Sequence, residues 1–336
     1  MRVRLGPWCW ISVAGAALLV SALLSMGLGA TRIGVADAAD VLLGRLLGNT
    51  AEGSTPGIIL NIRLPRVLLA MLVGALLAVS GAVMQAFFRN VMAGPYLVGV
   101  SSGAALGAVS AMLLGLGIQV GVLTPVPLCA FAGALAVVAV VYALNRKGGR
   151  LHTEGLLLTG IAISAAITSV VAVMILMSRD GMDRVLFWLL GSLSAARWDH
   201  VELLLPYAAV GLLVVWFLAR DLDALMWGDV TGAALGVHVE RSRAILLAVS
   251  SLMTAAAVAV SGIIGFVGLM VPHIARFLVG STHRPLLPLT AILGALLLVW
   301  ADVLARTVWA PVELPLGAVT ALVGAPFLVY LCTRRK

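Results

Sequence analysis

NIRLPRVLLAMLVGALLAVSGAVMQAFFRNVMAGPYLVGVSSGAALG, at residues 61–107, is the stretch that decides the fold class. It opens with Arg63 and Arg66, continues as an apolar run rich in Gly, Ala and Ser, and reaches Arg89 and Asn90 before a second apolar run begins. About 20 apolar residues between polar ends are enough for a helix to cross a bilayer. Small residues along such a helix let another helix approach closely. The stretch therefore predicts a membrane-spanning helix with arginines at both ends.

The composition of the whole chain indicates the same surroundings. Of its 336 residues, 62% are hydrophobic and 11% are charged, whereas soluble domains carry about 25% charged residues. Because so much apolar surface has to face lipid, we expect an all-α polytopic membrane protein with a single transmembrane domain over residues 1–336. A window of about 20 residues gives about ten spans, near 10–30, 62–84, 95–114, 122–144, 154–177, 199–219, 244–262, 263–280, 286–305 and 315–333.

The arginines and lysines predict how these spans are oriented. With the N-terminus inside, fourteen of the 22 Lys and Arg residues lie on the cytoplasmic side and eight lie outside. Since cytoplasmic loops carry the excess of positive charge, both termini are predicted in the cytoplasm. The net charge of +8 is not gathered in one long basic tract, so we expect no nucleic-acid partner.

Four blocks of sequence, in this order, resemble the FecCD-type permeases, the membrane subunits of bacterial ABC importers for iron chelates and cobalamin. The first block lies within 61–107 and reads R-x-P-R, G-A-x-L-A-x-S-G-x-x-x-Q, R-N-x-x-A-x-P and G-x-S-S-G-A. The others are GFVGLMVPHIAR at 265–276, ADVLAR at 301–306 and ELPLGAVT at 313–320. The resemblance covers nearly the whole chain and implies the BtuC-like fold of type II importers. It also implies a homodimer that works with two ATP-binding cassette subunits and a periplasmic binding protein.

The candidate docking residues are Arg63, Arg66 and Arg306, all predicted at the outer face. The planar fork of arginine pairs bidentately with carboxylates. In the resembled family, arginines at these motif positions meet glutamates on the two lobes of the binding protein. The alternative is that they only anchor the ends of helices. Asp302 lies four residues before Arg306, so we expect a structural ion pair there and favour it over a proton relay.

The candidate coupling segment covers about 220–243, the longest polar stretch on the predicted cytoplasmic side. Short helices are plausible in it, with Asp229 as an N-terminal cap and Gly236 as a stop. Its pattern W-G-D-x-x-G-A-A-L-G is similar to the family's coupling segment, which sits in a cleft of the ATP-binding subunit. An ordinary solvated loop is the alternative. The resemblance assigns coupling to Trp227, Gly228, Asp229, Ala233, Ala234, Leu235 and Gly236.

The candidate translocation path contains residues from two regions. The helix at 154–177 is rich in hydroxyl groups, and the resemblance places it beside the channel at the dimer axis, although Ser and Thr equally often bond their own or a neighbouring helix. The turn at 89–95 resembles the cytoplasmic gate, but Val91 stands where the family usually has proline. The residues expected on the path or gate are Gln85, Asn90, Met92, Thr159, Ser164 and Thr168.

Catalytic chemistry is not expected in this chain. Its two lysines, Lys147 and Lys336, do not follow glycine, so no G-K-[ST] phosphate loop exists. The five histidines are well separated and none has helical ligand spacing, so no metal site is expected. We expect no cofactor on this chain, with ATP and Mg²⁺ bound by the partner subunit.

The function expected is the multi-pass permease of an importer in the bacterial inner membrane, carrying an iron chelate, either a siderophore or haem. A cobalamin importer of the same family is the alternative. An ion-coupled secondary transporter would need acidic groups near the middle of the membrane, but the predicted spans have Asp and Glu almost wholly in loops or at span ends. An integral membrane enzyme lacks any nucleophile–base cluster.

Overall fold

The computed structural model describes residues 6–29, 33–48, 53–116, 124–148, 150–177 and 182–334. Within these residues nearly the whole chain is helical. The helices are α1 Pro7–Gly27, α2 Val35–Leu46, α3 Ser54–Ile58, α4 Leu64–Phe87, α5 Val100–Leu113, α6 Pro125–Asn145, α7 Thr153–Met177, α8 Met182–Leu189, α9 Trp198–Phe217, α10 Ala219–Met226, α11 Asp229–Ala234, α12 Val239–Ser261, α13 Val267–Val279, α14 His283–Thr307 and α15 Leu316–Arg334. A π-helical turn, Ile59–Arg63, joins α3 to α4, and Arg146–Lys147 pairs antiparallel with Arg150–Leu151.

The all-α polytopic fold predicted from the sequence is confirmed. Seven helical segments of the described residues are long and apolar enough to cross a membrane: α1, the continuous segment Ser54–Phe87, α6, α7, α9, α12 and α14. Three shorter apolar helices, α5, α13 and α15, account for the other predicted spans. Helices dominate because a backbone in lipid has to satisfy its hydrogen bonds internally. The short helices α2 and α8 were not predicted.

Helix α4, the centre of the deciding stretch, is also the centre of the bundle. Its span is 83% buried, the highest share among the seven, and it packs against α9, α12, α13 and α14. Two glycines permit this packing. A Cβ on Gly74 would lie 2.2 Å from the carbonyl oxygen of Gly294, and one on Gly81 would lie 2.0 Å from that of Gly268. The small residues therefore do bring backbones together, as predicted.

A five-residue break at 262–266 divides α12 from α13. Gly262 has a φ of +69°, and a Cβ there would lie 2.2 Å from the carbonyl oxygen of Trp188, so both conformation and space require glycine. Tyr96 donates its hydroxyl to the Ile264 carbonyl at 2.7 Å, which satisfies one backbone group of the break. The non-helical backbone is thus held within the protein, as a membrane interior requires.

Helix α7 forms the least covered side of the bundle. Only 11% of its span is buried, the lowest share among the seven, and large apolar side chains such as Leu158, Ile161 and Leu176 are exposed along it. Helix α15 likewise exposes Leu322 and Val329. Because these faces are apolar, they fit lipid or another protein surface rather than water.

Candidate functional site

Arg66 lies at the centre of a buried charged cluster at the predicted outer end of the bundle. Its Nη1 and Nη2 donate to Oε1 and Oε2 of Glu313, each at 2.9 Å. Its Nε donates to Oδ1 of Asp302 at 3.0 Å. Asp302 also contacts Nε of Arg306 at 3.3 Å through Oδ2, one helical turn along α14. The predicted pair of Asp302 and Arg306 is confirmed, and it belongs to a larger network.

Arg63 and Arg306 attach this cluster to the end of α1. Arg63 donates through Nη1 to the carbonyl of Met26, and Arg306 donates through Nη2 to the carbonyl of Ser25 at 2.7 Å. The last carbonyls of a helix have no partner within it and carry partial negative charge. Two guanidinium groups therefore stabilise the C-terminal end of α1. Three arginines against two carboxylates leave the cluster with a net positive charge.

The three arginines predicted to dock a binding protein are all buried within this chain. Arg63, Arg66 and Arg306 are 5%, 8% and 7% exposed. Close to these arginines in sequence are Glu313, with a side chain 38% exposed, and four large exposed apolar side chains. We call these four the outer rim: Ile62, Val308, Trp309 and Val312. Docking by the arginines stays a prediction, but a partner would touch the rim before it reached the positive cluster.

At the opposite end, the segment at 227–236 projects from the bundle. Trp227 is 77% exposed, Val230 is 86% exposed and Leu235 is 64% exposed. Ala233, Ala234 and Gly236 are exposed as well. Large apolar side chains that project together from a polar segment mark an interaction site. We call the exposed side chains of Trp227, Val230 and Leu235 the coupling patch.

Asp229 fixes the coupling patch to α12. Its Oδ2 and Oδ1 accept from Nη1 and Nη2 of Arg243 at 2.8 and 2.6 Å, and Arg243 is buried. The prediction of Asp229 as the N-terminal cap of α11 was wrong. Gly228 takes that position with a φ of +101°, and Asp229 is the first helical residue. A bidentate bond to a guanidinium is stronger than a cap, so the carboxylate turns to Arg243. Gly236 follows the helix with a φ of +85°.

The predicted gate turn lies beside this segment. Asn90 accepts a hydrogen bond from the backbone N–H of Met92 at 2.9 Å, which closes the turn, and both residues are exposed. Arg89, with a φ of +49°, places its Nη1 3.4 Å from where a Cβ on Gly228 would stand. The turn after α4 and the coupling segment are therefore in contact.

Gln85 precedes this turn, and its backbone carbonyl accepts a hydrogen bond from the N–H of Asn90 at 3.0 Å. It is buried, and its Nε2 donates to the carbonyls of Gly268 and Leu269, both at 3.2 Å. Its Oε1 accepts from Arg276. These bonds join α4 to α13 and use both ends of the amide group. The side chain of Gln85 thus holds two helices together, and its place on the path or gate stays a prediction.

The three hydroxyl groups predicted on the path have different surroundings. Thr159 donates to Oδ1 of Asn145 at 3.4 Å, and Ser164 is bonded to the hydroxyl of Ser102 at 3.1 Å. Thr168 is exposed. Thr159 and Ser164 therefore bond to neighbouring helices, the second of the two uses considered above, while Thr168 faces outward from α7.

Sequence reasoning missed a contact that joins the coupling region to α14. Oδ1 of Asp223 accepts from the backbone N–H of His283 at 2.9 Å and lies 2.6 Å from its Nδ1. Asp223 thereby caps the first turn of α14 from a different helix. The local spacing carries no signal for this bond, because the two residues are 60 positions apart.

Comparison with known proteins shows the family to which this chain belongs. The sequence model of the FecCD transport family matches residues 17–334. The hemin transport system permease protein HmuU of Yersinia pestis is 42% identical over 345 residues, which cover 100% of this chain and 98% of HmuU. The cobalamin import system permease protein BtuC of Halobacterium salinarum is 42% identical over 330 residues, 98% of this chain and 80% of that protein.

A third relative and one solved structure agree with these matches. The Fe(3+) dicitrate transport system permease protein FecD of Escherichia coli is 42% identical over 281 residues, 83% of this chain and 86% of FecD. A structure assigned to the metal-chelate type of ABC transporter, in an inward-facing conformation, superposes with a TM-score of 0.85 at 29% identity. The superposition covers 96% of this chain and 98% of that one.

Proposed function

Because this chain belongs to the FecCD transport family and is a multi-pass permease of an ABC importer, we propose that it translocates an iron chelate, either a siderophore or haem. The cargo would arrive on a periplasmic binding protein, and ATP hydrolysis on separate subunits would drive its passage. The proposal places the chain in the bacterial inner membrane as a homodimer. ATP and Mg²⁺ then bind to the partner subunits, and this chain needs no catalytic group of its own.

The observation that carries the proposal is the coupling patch. Trp227 and Val230 are more than three-quarters exposed on a segment bonded to α12 through Asp229 and Arg243. A soluble subunit that covered the patch would bury apolar surface, and its movement would pass through a charged bidentate pair to a membrane helix. The contact of Arg89 with this segment extends the same connection to the turn after α4.

The path is proposed along α7, where Thr168 is exposed and little of the span is buried. A second copy packed against the exposed faces of α7 and α15 would enclose a passage between the two chains. This arrangement supplies apolar partners for side chains such as Leu158 and Leu322. The passage would end at the turn that contains Asn90 and Met92.

The alternative of an ion-coupled transporter is less well supported by the acidic residues. Among the residues that the structure describes, Asp302 is the one buried carboxylate, and it is paired with Arg66 and Arg306. Its Oδ1 and Oδ2 are both engaged by guanidinium groups, so neither oxygen is left to bind a coupling ion. The relatives named for hemin and for cobalamin transport are both 42% identical to this chain, so cobalamin remains the second candidate cargo.

Reconstitution tests the proposal. The purified chain is placed in lipid nanodiscs with its ATP-binding subunit, and candidate binding proteins loaded with ferric siderophore, haem or cobalamin are added in turn. Stimulated ATP hydrolysis with one loaded protein, and not with its empty form, would support the proposal and identify the cargo. Uptake driven by an ion gradient alone, without any ATP-binding subunit, would overturn it.

A further inference from the structure

A groove between α6 and α12 has the shape and lining of a lipid site. These helices pack side by side and run antiparallel, and they enclose a cavity of about 590 Å³. Ala139 and Ala248, one from each helix, are exposed, so the groove opens to the surface of the bundle. Its lining is almost wholly apolar: Leu135, Val138, Ala139, Tyr142, Ala244, Ile245, Leu247, Ala248, Val249, Ser251 and Leu252.

One end of this groove continues into a small polar pocket. The pocket has a volume of about 160 Å³ and shares Tyr142 and Ala244 with the groove. Arg146 and Arg241 line it, and both are exposed. The guanidinium of Arg146 lies over the Tyr142 ring, 6.0 Å from its centroid, which directs the cation toward the groove mouth.

The pocket keeps a positive charge despite the carboxylate of Glu240. Oε2 of Glu240 accepts a hydrogen bond from the backbone N–H of Leu151 at 3.0 Å, so this oxygen is already engaged. Two arginines against one carboxylate leave a surplus cation. An anion at the mouth would therefore be attracted, although Glu240 reduces the attraction.

The length of the groove matches one leaflet of a bilayer. The lining extends from Leu135 on α6 to Arg146, the residue that directly follows this helix, and on α12 it extends from Arg241 to Leu252. Each side therefore contributes eleven residue steps. At 1.5 Å per residue this is roughly 16 Å, about half of a 30 Å hydrocarbon core. Both arginines stand at the end predicted to be cytoplasmic. The amphipathic ring of Tyr142 lies next to them, where such rings occur at the membrane surface.

We propose that this groove binds an anionic phospholipid of the cytoplasmic leaflet, with one acyl chain between α6 and α12 and the phosphate on Arg146 and Arg241. Basic pockets between membrane helices on the cytoplasmic side are suited to acidic headgroups. A free phosphate would leave the apolar groove uncovered, and a neutral lipid would leave the surplus cation unpaired. Since Arg241 is in the first turn of α12, a few residues after the stretch 227–236 that carries the coupling patch, the bound lipid would hold that turn against α6.

Native mass spectrometry of the purified full-length chain tests this proposal. The chain is titrated with phosphatidylglycerol and, separately, with phosphatidylcholine of the same acyl chains. We expect one tightly bound phosphatidylglycerol per copy. The double variant Arg146→Gln, Arg241→Gln should lose about thirtyfold in that affinity, since each arginine near an anionic lipid contributes about fivefold. The control is Arg220→Gln. Arg220 is an exposed arginine at the start of the segment 220–243 and lines neither the groove nor the pocket, so this variant should bind phosphatidylglycerol as the native chain does.

A second variant separates the acyl chain from the headgroup. Ala248→Trp fills the groove and leaves both arginines in place, so it should also lose the tight phosphatidylglycerol. Glycerol 3-phosphate should not displace the lipid at equal concentration. Equal affinity of the native chain for the two lipids would overturn the proposal without any variant. Full binding by Ala248→Trp, or displacement by glycerol 3-phosphate, would show a simple anion site in place of a lipid site.

Discussion

Arg66 and Glu313 face each other through two parallel hydrogen bonds, each 2.9 Å long, although 247 residues separate them in the chain. The bonds join the start of the central helix α4 to the turn that precedes α15. Since Asp302 binds the same guanidinium from α14, three distant parts of the chain meet on one arginine. This explains how an importer subunit can hold charged groups at the edge of a bilayer and remain stable: each charge has a fixed partner.

Asp302→Asn is expected to destabilise the protein strongly. Asp302 is 2% exposed and forms ion pairs with both Arg66 and Arg306. Removal of one partner from a buried ion pair lowers the free energy of unfolding by about 3–5 kcal/mol. Glu313→Gln should cost about 1 kcal/mol or less, because that side chain is 38% exposed. Thermal unfolding of the two variants in detergent measures the difference. Equal losses would show that burial does not decide the cost.

Gly81→Ala is expected to destabilise the contact of α4 with α13. The added Cβ would stand 2.0 Å from a backbone oxygen of Gly268, so the helices have to move apart, at a cost of about 1–3 kcal/mol. Gly15→Ala is the matched control, because nothing lies within 4 Å of its added Cβ. Alanine there should stabilise α1 slightly or leave it unchanged. Unfolding temperatures that fall alike would contradict the packing explanation.

The helical fold could be predicted because lipid imposes a simple rule on sequence. Each span needs a long apolar run whose backbone hydrogen bonds are made within the helix. A run such as that of α4 therefore predicts a spanning helix even when the neighbouring helices are unknown. The ion pair of Asp302 and Arg306 could also be predicted, since both belong to one helix at a spacing of four.

Contacts between distant helices could not be predicted in this way. Nothing near Arg66 in the sequence indicates Glu313 as its partner. The partners of Gln85 could not be predicted either. Its amide bonds to carbonyls of α13, and the sequence around a polar residue near a helix end does not indicate which neighbouring helix its side chain contacts. The exposure of side chains could not be predicted either: the family resemblance suggested docking by three arginines, and the structure buries all three and exposes the outer rim.

Trp309→Ala is expected to weaken binding of the periplasmic protein about tenfold or more, because exposed tryptophans often anchor an interface. Trp309 is 69% exposed on the outer rim and makes no part of the buried cluster. It is therefore a sharper probe than Arg63→Glu or Arg66→Glu, which would disturb the fold as well. Trp8→Ala is the control. Trp8 is 60% exposed in the first turn of α1, at the end of that helix far from the arginine cluster. Affinity is measured by biolayer interferometry on nanodiscs, and equal effects of both variants would contradict a rim contact.

Val230→Asp is expected to abolish co-purification of the ATP-binding subunit, because it places a charge in the centre of the coupling patch, where Val230 is 86% exposed. Leu43→Asp is the control: Leu43 is 56% exposed on α2, outside the patch, and the variant should still co-purify the subunit.

Asp229→Asn is expected to affect coupling without affecting binding of the subunit. It keeps the patch but weakens the bidentate bond to Arg243, so the subunit should still bind while stimulation by the loaded binding protein falls. Co-purification is measured by pull-down and stimulation by ATP hydrolysis in nanodiscs. Loss of binding in Asp229→Asn, or full stimulation with it, would show that this pair does not carry movement from α11 to α12.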